Sequence, residues 1–194
     1  MSITPPDEGE QVDLGEAPQI DLFSGRADEL ATVKRWLVDE QCRVVLIIGV
    51  GGIGKTSLVA KVIDQAVPVF RVVFWRSLLN APPLERILQD CLQFLVRMHQ
   101  IEIPPDTQEQ MRLLVAQLRK RRCLLVLDNA EAILKSGSST GEYKEGYEGY
   151  GKLIRLLGES RHQSCLVVTS REQLKEIAWL EGEGRLSIPI VSEG

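Results

Sequence analysis

A glycine-rich octet that follows a run of apolar residues has the residue types and spacing to hold a phosphate chain. It reads Gly49-Val50-Gly51-Gly52-Ile53-Gly54-Lys55-Thr56, which matches G-x-x-x-x-G-K-T in full. The glycines let successive backbone N–H groups turn inward around phosphate oxygens, where a side chain would block the approach. Lys55 can reach the β- and γ-phosphates as a point charge, and the Thr56 hydroxyl can ligate Mg²⁺. The predicted contacts to a nucleotide are Gly49, Gly51, Gly52, Ile53, Gly54, Lys55, Thr56 and Ser57.

An aspartate in the middle of the chain could complete a magnesium site. Asp128 directly follows the apolar run Cys123–Leu127. A carboxylate at the end of a buried strand organises Mg²⁺ in phosphate-loop enzymes, although by itself such an aspartate most often only ends the strand. Because the phosphate loop lies upstream, we predict that Asp128 and Thr56 are the magnesium-binding residues.

Two further charged residues, Glu131 and Arg171, each allow two interpretations. Glu131 lies three residues after Asp128, where it could orient a water molecule or simply complement a helix dipole. Arg171 follows the apolar run Cys165–Thr169, where it could stabilise charge on a γ-phosphate or lie on the surface. The predicted catalytic residues are Lys55, Asp128, Glu131 and Arg171.

Strands that alternate with helices must position these residues. Apolar periodicity predicts helices over 26–39, from the loop to about Val67, after Pro82-Pro83, after Thr107, around 153–157 and over 172–180. This alternation predicts an α/β fold with a mostly parallel sheet, whose ligands bind at the carboxyl ends of the strands. Gly49, Asp128 and Thr169 would then share one rim. The predicted strands are Arg43–Ile48, Phe70–Trp75, Cys123–Leu127, Cys165–Thr169 and Leu186–Val191, the last at an edge because it contains Pro189.

Two polar clusters are interpreted as helix-end signals. Thr107 and Gln110 have the spacing of a capping box at the start of a helix. The basic run Arg119-Lys120-Arg121-Arg122 falls where that helix should end. Cations there complement the helix dipole, and the alternative is a binding patch.

Composition excludes several classes of protein. With 194 residues, of which 44% are hydrophobic and 26% charged, the chain is ordinary for one globular domain. No apolar run approaches the roughly 20 residues that span a bilayer, and the N-terminus lacks the pattern of a signal peptide. A net charge of −4 gives no support for nucleic-acid binding. Four cysteines without C-x-x-C spacing favour buried thiols in a reducing cytoplasm.

Two segments stand apart in composition. The first 21 residues carry six acidic residues and no Lys or Arg, which indicates a leader or linker over residues 1–21 before a domain over 22–194. Residues 135–151 contain five glycines and all three tyrosines of the chain. That segment is either a self-packed surface loop or a loop that binds partners or gates the site.

Several of these stretches together resemble the NB-ARC branch of the STAND ATPases, the switch module of plant disease-resistance proteins, apoptosome adaptors and many bacterial regulators. The likeness runs from about Leu22 to Val191. Residues 24–30 resemble the family's opening G-R-x-x-E-L motif, residues 49–56 its Walker A loop, and residues 73–78 its second-strand motif. Residues 124–128 resemble Walker B, and residues 168–171 resemble the T-[ST]-R sensor arginine. Residues 76–84 and 146–151 resemble cyanobacterial NB-ARC proteins that carry WD40 repeats.

The resemblance implies a specific fold and ligand. It implies a three-layer P-loop NTPase fold whose five-stranded sheet has the order 5-1-4-3-2, counting the five predicted strands along the chain. It implies ATP or ADP with Mg²⁺ as the ligand, and adenine contacts near Phe23, Gly25 and Arg26. No N-K-x-D guanine motif is found in the sequence.

The chain departs from the family pattern in two places. Asn129 stands where many members have a second acid after the Walker B aspartate, and an amide is a poor proton acceptor. The family's G-x-P motif, small helical domain, winged-helix domain and repeats do not occur in these residues. We therefore expect a fragment of a longer protein, with slow hydrolysis of ATP.

Three functions fit these observations. The first is a cytoplasmic ATP/ADP switch module that controls conformation and oligomerisation of a larger signalling protein. The second is a free-standing Mg²⁺-dependent ATPase, and the third is a partner-binding scaffold that nucleotide only stabilises. We expect protein partners or self-association in the full-length protein, and neither nucleic acid nor membrane.

Overall fold

The computed structural model of the chain describes residues 11–19, 25–96, 101–137, 141–180 and 186–189. The strands are β1 (Gln11–Asp13), β2 (Val44–Ile48), β3 (Val72–Ser77), β4 (Cys123–Asp128), β5 (Cys165–Ser170) and β6 (Leu186–Pro189). The α-helices are α1 (Ala27–Val38), α2 (Lys55–Ala66), α3 (Leu84–Val96), α4 (Thr107–Lys120), α5 (Glu148–Glu159) and α6 (Lys175–Leu180). A short 3-10 helix spans Ala130–Ile133.

The strands form one parallel sheet in the order β1-β3-β4-β5-β2-β6. The five predicted strands therefore have the predicted order, with β6 at one edge as its proline indicated. Strands β2, β4 and β5 lie side by side in the centre of the sheet. Their carboxyl ends bring residues after Ile48, Leu127 and Thr169 to one rim.

The central strands are buried on both faces. Along β2, Val44 and Leu46 pack into one hydrophobic cluster, while Val45 and Ile47 pack into another on the opposite face. Residues from α1 and α2 complete the second cluster, and residues from α3, α4, α5 and α6 complete the first. This arrangement is the predicted three-layer α/β fold, and it explains why the strands are continuously apolar.

An edge strand, β1, adds to the predicted sheet. It pairs in parallel with β3, and Arg76 donates to both carboxylate oxygens of Asp13 at 3.0 and 2.7 Å. Part of the acidic segment that the sequence assigns to a leader or linker thus belongs to the sheet. Acidic composition does not reveal this strand, because its pairing depends on a partner some 60 residues away along the chain. Residues 1–10 and 20–21 of that segment lie outside the described residues.

The prediction that Thr107 caps α4 is wrong. Asp106 occupies the N-cap position with extended backbone, and its carboxylate accepts a hydrogen bond from the Glu109 N–H at 2.9 Å. Thr107 is the first residue of the helix itself. Aspartate is as good an N-cap as threonine or better, so the carboxylate one position earlier takes the role.

The basic run after α4 binds the ends of neighbouring helices. Arg122 donates from Nη2 to the carbonyls of Leu37 and Val38, at 2.9 and 3.0 Å, in the last turn of α1. Arg121 donates to the Leu95 carbonyl near the end of α3. These contacts are of the expected kind, a cation at a helix C-terminus, but the helices are α1 and α3 rather than α4 alone.

The tyrosine- and glycine-containing segment packs onto the domain. Tyr143 and Tyr150 are buried, and the Tyr143 hydroxyl donates to the Glu176 carboxylate at 2.7 Å. The hydroxyls of Tyr147 and Tyr150 donate to the carbonyls of Ala81 and Pro82. Helix α5 begins at Glu148, ahead of the predicted 153–157, because Tyr150 continues its buried stripe. These contacts favour the self-packed interpretation of the segment over a partner-binding loop.

Candidate functional site

The glycine-rich loop connects β2 to the start of α2, as the sequence predicts. The Gly49 N–H donates to the Ser170 carbonyl at 3.2 Å, which fixes the loop to the end of β5. Gly52 and Gly54 have φ angles of 78° and 88°, in the left-handed region that favours glycine. Among the residues that the structure describes, no side chain caps the N-terminus of the helix that follows. The first N–H groups of α2 are therefore available to an anion at the positive end of the helix dipole.

Lys55 folds back over the loop from the first turn of α2. Its Nζ donates to the carbonyls of Gly49 and Val50 at 2.7 and 3.2 Å, and the side chain is buried. Burial lowers the pKa of Lys55, and the field of Arg171 adds to this, while Glu131 and Asp128 act in the opposite direction. A phosphate placed in this loop would therefore provide the negative charge that the buried ammonium group lacks.

Asp128 and Thr56 meet in direct contact, although they lie 72 positions apart. Thr56 Oγ1 donates to the carboxylate at 3.0 Å, and the buried carboxylate also accepts from Thr169 Oγ1 and from Asn129 Nδ2. Burial raises the pKa of Asp128 and Glu131 raises it further, while hydrogen bonds from Thr169 and Thr56 lower it. A bound cation at this position would stabilise the ionised carboxylate.

The donor set fits a magnesium ion that is shared with a nucleotide. Mg²⁺ is usually held by one or two protein oxygens together with substrate phosphates and water. One carboxylate and one hydroxyl from Asp128 and Thr56 meet that requirement. Within the described residues, no group of three or more His, Cys, Asp or Glu side chains forms an independent metal site.

Glu131 and Arg171 form an ion pair beside the loop. Glu131 lies in the 3-10 helix after β4, and its Oε1 is 3.0 Å from Nε of Arg171. The backbone N–H of Arg171 also donates to Oε2 of Glu131 at 3.3 Å. The guanidinium lies against Gly51, where an added Cβ would be 2.9 Å from Arg171 Cζ. The tertiary structure thus brings both predicted residues to the phosphate loop and to each other.

Asn129 and Thr169 contribute more than the sequence indicated. Asn129 has a left-handed backbone, with φ of 62°, and its N–H donates to Thr169 Oγ1 at 2.9 Å. Its side chain donates to Asp128 at 2.9 Å, so it is a donor to the carboxylate that is predicted to bind magnesium. Thr169 was predicted only to share the rim, whereas it bonds both Asp128 and Asn129. The signal for both is a polar residue at the carboxyl end of a buried strand: Thr169 lies near the end of β5, and Asn129 directly follows β4.

The predicted adenine-side residues lie in a tight turn before α1. Gly25 and Arg26 have φ angles of 78° and 57°, and Arg26 is the N-cap of α1. Its Nη1 atom is buried without a hydrogen-bond partner among the described residues, so a donor is available for a ligand. Contact of these two residues with adenine stays a prediction. Phe23 lies outside the described residues.

The family of this fold and site is decided by comparison with known proteins. The NB-ARC domain matches residues 26–132, which include the loop, Asp128 and Glu131.

The chain belongs to the NB-ARC family.

A cyanobacterial relative extends the match beyond that range. An uncharacterised WD repeat-containing protein of Nostoc sp. is 43% identical over 188 residues, which cover 93% of this chain and 15% of that protein. This chain therefore spans a small part of the length of its relative. The resemblance to NB-ARC proteins of the cyanobacterial WD-repeat type is confirmed.

Solved structures with the same fold include ORC and Cdc6 proteins. Aeropyrum pernix ORC2, determined with ADPNP and ADP, is 18% identical with a TM-score of 0.56, over 90% of this chain and 50% of that one. Cdc6p of Pyrobaculum aerophilum is 16% identical with a TM-score of 0.55, over 89% and 47%. Drosophila ORC bound to DNA is 15% identical with a TM-score of 0.56, over 87% of this chain and 43% of that one. Because these sequence identities are low, the similarities show only that the chain shares the α/β fold of these proteins.

Proposed function

We propose that this chain is an ATP/ADP-binding switch module of a STAND-type regulatory protein, in which the bound nucleotide controls conformation and oligomerisation. The observation that carries the proposal is the direct contact of Thr56 with Asp128 beside the loop that Lys55 spans. Those three side chains provide the phosphate-neutralising and metal-holding groups of a nucleotide site, on the rim where an α/β sheet binds ligands.

Each of these residues has a defined task in nucleotide binding. The loop N–H groups and Lys55 bind the β- and γ-phosphates, and Thr56 and Asp128 hold Mg²⁺. When bound, Mg²⁺ neutralises phosphate charge. Arg171 adds a second cation beside Gly51. Gly25 and Arg26, in the turn before α1, form the proposed adenine side of the site.

The switch interpretation is favoured over a free-standing ATPase by the groups around Asp128. Asn129 donates to Asp128, and its amide is a poor proton acceptor. Both oxygens of Glu131 face Arg171, so this carboxylate is engaged as well. We therefore expect the site to retain bound nucleotide and to hydrolyse ATP slowly.

The surroundings of the site suggest where the module works. The four cysteines are free and buried, which favours a reducing compartment, and we propose the cytoplasm. Among the described helices, none is long and apolar enough to cross a bilayer. By analogy with the WD repeat-containing relative, we propose protein partners or self-association for the full-length protein.

Mass spectrometry of nucleotide released from the purified chain tests the proposal. We expect ADP or ATP in stoichiometric amount, and a rise in melting temperature when Mg²⁺-ADP is added to the stripped protein. A ligand at about 100 times its Kd should stabilise the fold by about 2.7 kcal/mol. Absence of bound nucleotide together with an unchanged melting temperature would contradict it, and rapid multiple turnover would favour the free-standing ATPase.

A further inference from the structure

A groove at the amino rim of the sheet, opposite the phosphate loop, collects positive charge. It lies between the end of α4 and the connection from α5 to β5, and its volume is about 340 Å³. Because β4 runs from Cys123 to Asp128, the groove lies about 16 Å from Asp128, at a rise of about 3.3 Å per residue. We call it the basic groove; its charged and titratable lining residues are Arg119, Lys120, Arg121, Arg122, Arg161 and His162.

Hydrogen bonds hold the two walls of the basic groove together. The Oγ atom of buried Ser164 lies 2.9 Å from the Leu118 carbonyl oxygen and 3.0 Å from that of Arg121. Between the same two walls, Arg119 Nε donates to the Arg161 carbonyl at 3.3 Å. The groove therefore has its shape before any ligand binds, which lowers the entropic cost of binding.

His162 is part of one wall and reports the local charge. Each of its ring nitrogens lies 3.0 Å from a carbonyl oxygen, one of Leu157 and one of Ser164. Burial lowers the pKa of His162, the two carbonyls raise it, and the charges of Arg43 and Arg119 lower it. Both charged side chains that act on His162 in the described structure are cations, so the potential at the groove is positive.

Three cations of the basic groove have no acidic partner. Arg119, Lys120 and Arg161 are exposed, and none of them forms an ion pair within the part of the chain that the structure describes. Among the described lining residues none is acidic. Arg121 and Arg122 differ from these three, because they donate to carbonyls at the ends of α3 and α1.

Helix dipoles balance only part of this charge. Helix α4 ends at Lys120 and α5 ends at Glu159, and each helix C-terminus is equivalent to about half a negative charge. The two ends together therefore balance about one of the three exposed cations. Like charges that cluster in a concave surface focus the potential and raise the local concentration of anions.

The size and composition of the basic groove favour a small phosphate-bearing anion. Its volume falls in the range of about 300–1,000 Å³ that small-molecule sites occupy. The guanidinium fork of arginine matches phosphate with two parallel hydrogen bonds. The chain has a net charge of −4 although five of its 23 Lys and Arg residues line this groove. The surface elsewhere is therefore acidic, and it would repel a long polyanion such as a nucleic acid.

We propose that the basic groove binds a small anion that carries two or more phosphate groups. Arg119 and Lys120 approach from α4 and Arg161 approaches from the other wall, so each wall offers a cation to a separate phosphate group. The inference does not depend on the proposed function, because none of these residues belongs to the nucleotide site.

Calorimetric titration with inorganic pyrophosphate tests the proposal. The protein carries one equivalent of ADP to fill the phosphate loop, without Mg²⁺ because pyrophosphate would chelate it, in salt of about 150 mM. We expect one further site with a Kd of about 100 μM or tighter. Lys120→Ala and Arg161→Ala should each weaken it by about 10-fold or more, as expected for loss of a charge-assisted hydrogen bond. Both side chains are exposed, so the melting temperature should match that of the parent.

A matched control and three other results decide the outcome. Arg112→Ala removes an exposed arginine of α4 that does not line the groove, and it should leave the affinity unchanged. Equal weakening by Arg112→Ala would reduce the effect to general charge attraction and overturn the proposal. Loss of binding in Lys55→Ala but not in Arg161→Ala would place the anion in the phosphate loop.

A macromolecular partner is the remaining alternative. If a polyglutamate peptide or a single-stranded oligonucleotide bound more tightly than pyrophosphate, and Arg161→Ala removed that binding, the groove would be a docking surface instead. Absence of any pyrophosphate binding would also overturn the proposal.

Discussion

At the scale of single residues, the candidate site contains two ionisable groups, Lys55 and Asp128, whose charged forms are destabilised by burial. Burial lowers the pKa of Lys55 and raises the pKa of Asp128. Each shift is opposed by neighbouring groups, but each means that the charged form is less stable here than in water. Phosphate beside Lys55 and a cation beside Asp128 would both reverse this. We therefore propose that these residues are arranged for a ligand rather than for the stability of the fold.

Lys55→Ala should strongly weaken nucleotide binding while the fold is retained. The ammonium group neutralises phosphate charge that backbone N–H groups do not, and a charge-assisted bond is worth about 1.5–3 kcal/mol. We expect the affinity for Mg²⁺-ADP to fall by about 10- to 150-fold in calorimetry. Circular dichroism should match the parent. Equal affinity of variant and parent at matched Mg²⁺ would show that Lys55 is not a phosphate contact.

Asp128→Asn should weaken Mg²⁺-dependent binding of ATP more than metal-free binding. The carboxylate acts through the cation, and a neutral amide oxygen is a weaker ligand for Mg²⁺. Titrations with a non-hydrolysable ATP analogue, in the presence of Mg²⁺ and of EDTA, measure the two affinities. An identical loss under both conditions would assign Asp128 a structural role, through its bonds with Thr56 and Thr169.

Asn129 should set the rate of ATP hydrolysis. We expect the parent to hydrolyse ATP well below the roughly 1–100 s⁻¹ of kinases, because the residue beside Asp128 is a donor rather than a base. Asn129→Asp should raise the single-turnover rate. It should also lower the melting temperature of the nucleotide-free protein, because two carboxylates would then face each other. Fast hydrolysis by the parent would show that another residue activates water.

At the scale of elements, buried tyrosines fix the connection between β4 and α5. The Tyr143 hydroxyl donates to the buried Glu176 carboxylate in α6, and Leu134 forms a bridge with Tyr143. In the same connection, the Gly137 N–H donates to Oε1 of Glu172 at 3.4 Å, two residues after the end of β5. The connection between β4 and α5 therefore packs against the domain beside the candidate site.

Tyr143→Phe should destabilise the domain without changing ADP affinity. Removing the hydroxyl takes a hydrogen bond from a buried carboxylate, at a cost of about 1–3 kcal/mol. Urea unfolding of the nucleotide-free protein measures this loss. Tyr147→Phe is the control, because its hydroxyl donates to a backbone carbonyl in a partly exposed position and should cost less. A stability equal to that of the parent would mean that Glu176 has found another donor.

At the scale of the whole molecule, the stability of the nucleotide-free protein should depend on Asp128 in a defined direction. Its pKa in the folded state is raised above the usual value of 3.8. Between the unfolded and the folded pKa, the folded state binds more protons, so this group makes stability fall as pH rises through that window.

Denaturant unfolding over a pH series measures this contribution. The free energy of unfolding of Asp128→Asn minus that of the parent should increase with pH across the window, because only the parent has the group that titrates. The lost hydrogen bonds add an offset that does not depend on pH. A difference that decreases with pH would contradict the raised pKa.

The sequence by itself determined the nucleotide loop and the five predicted strands, whereas the order of those strands was implied by the NB-ARC resemblance. The loop and the strands depend on local patterns: glycines at fixed spacing for the loop, and buried apolar runs that alternate with helices for the strands. Asp128 and Arg171 became candidate site residues because each lies close to the end of such a run. The NB-ARC resemblance rested on the same short stretches and was confirmed.

Only the tertiary structure decided which side chains meet. Glu131 bonds Arg171 across 40 positions, and Gln11–Asp13 joins the sheet beside Val72–Phe74. Asn129, a mere departure from the family pattern in the sequence, became a donor to Asp128 once its left-handed backbone was known. Periodicity specifies which face of an element is buried, but strand order and register fix the distance between two elements. Pairings of this kind therefore follow from the assembled sheet and not from either segment alone.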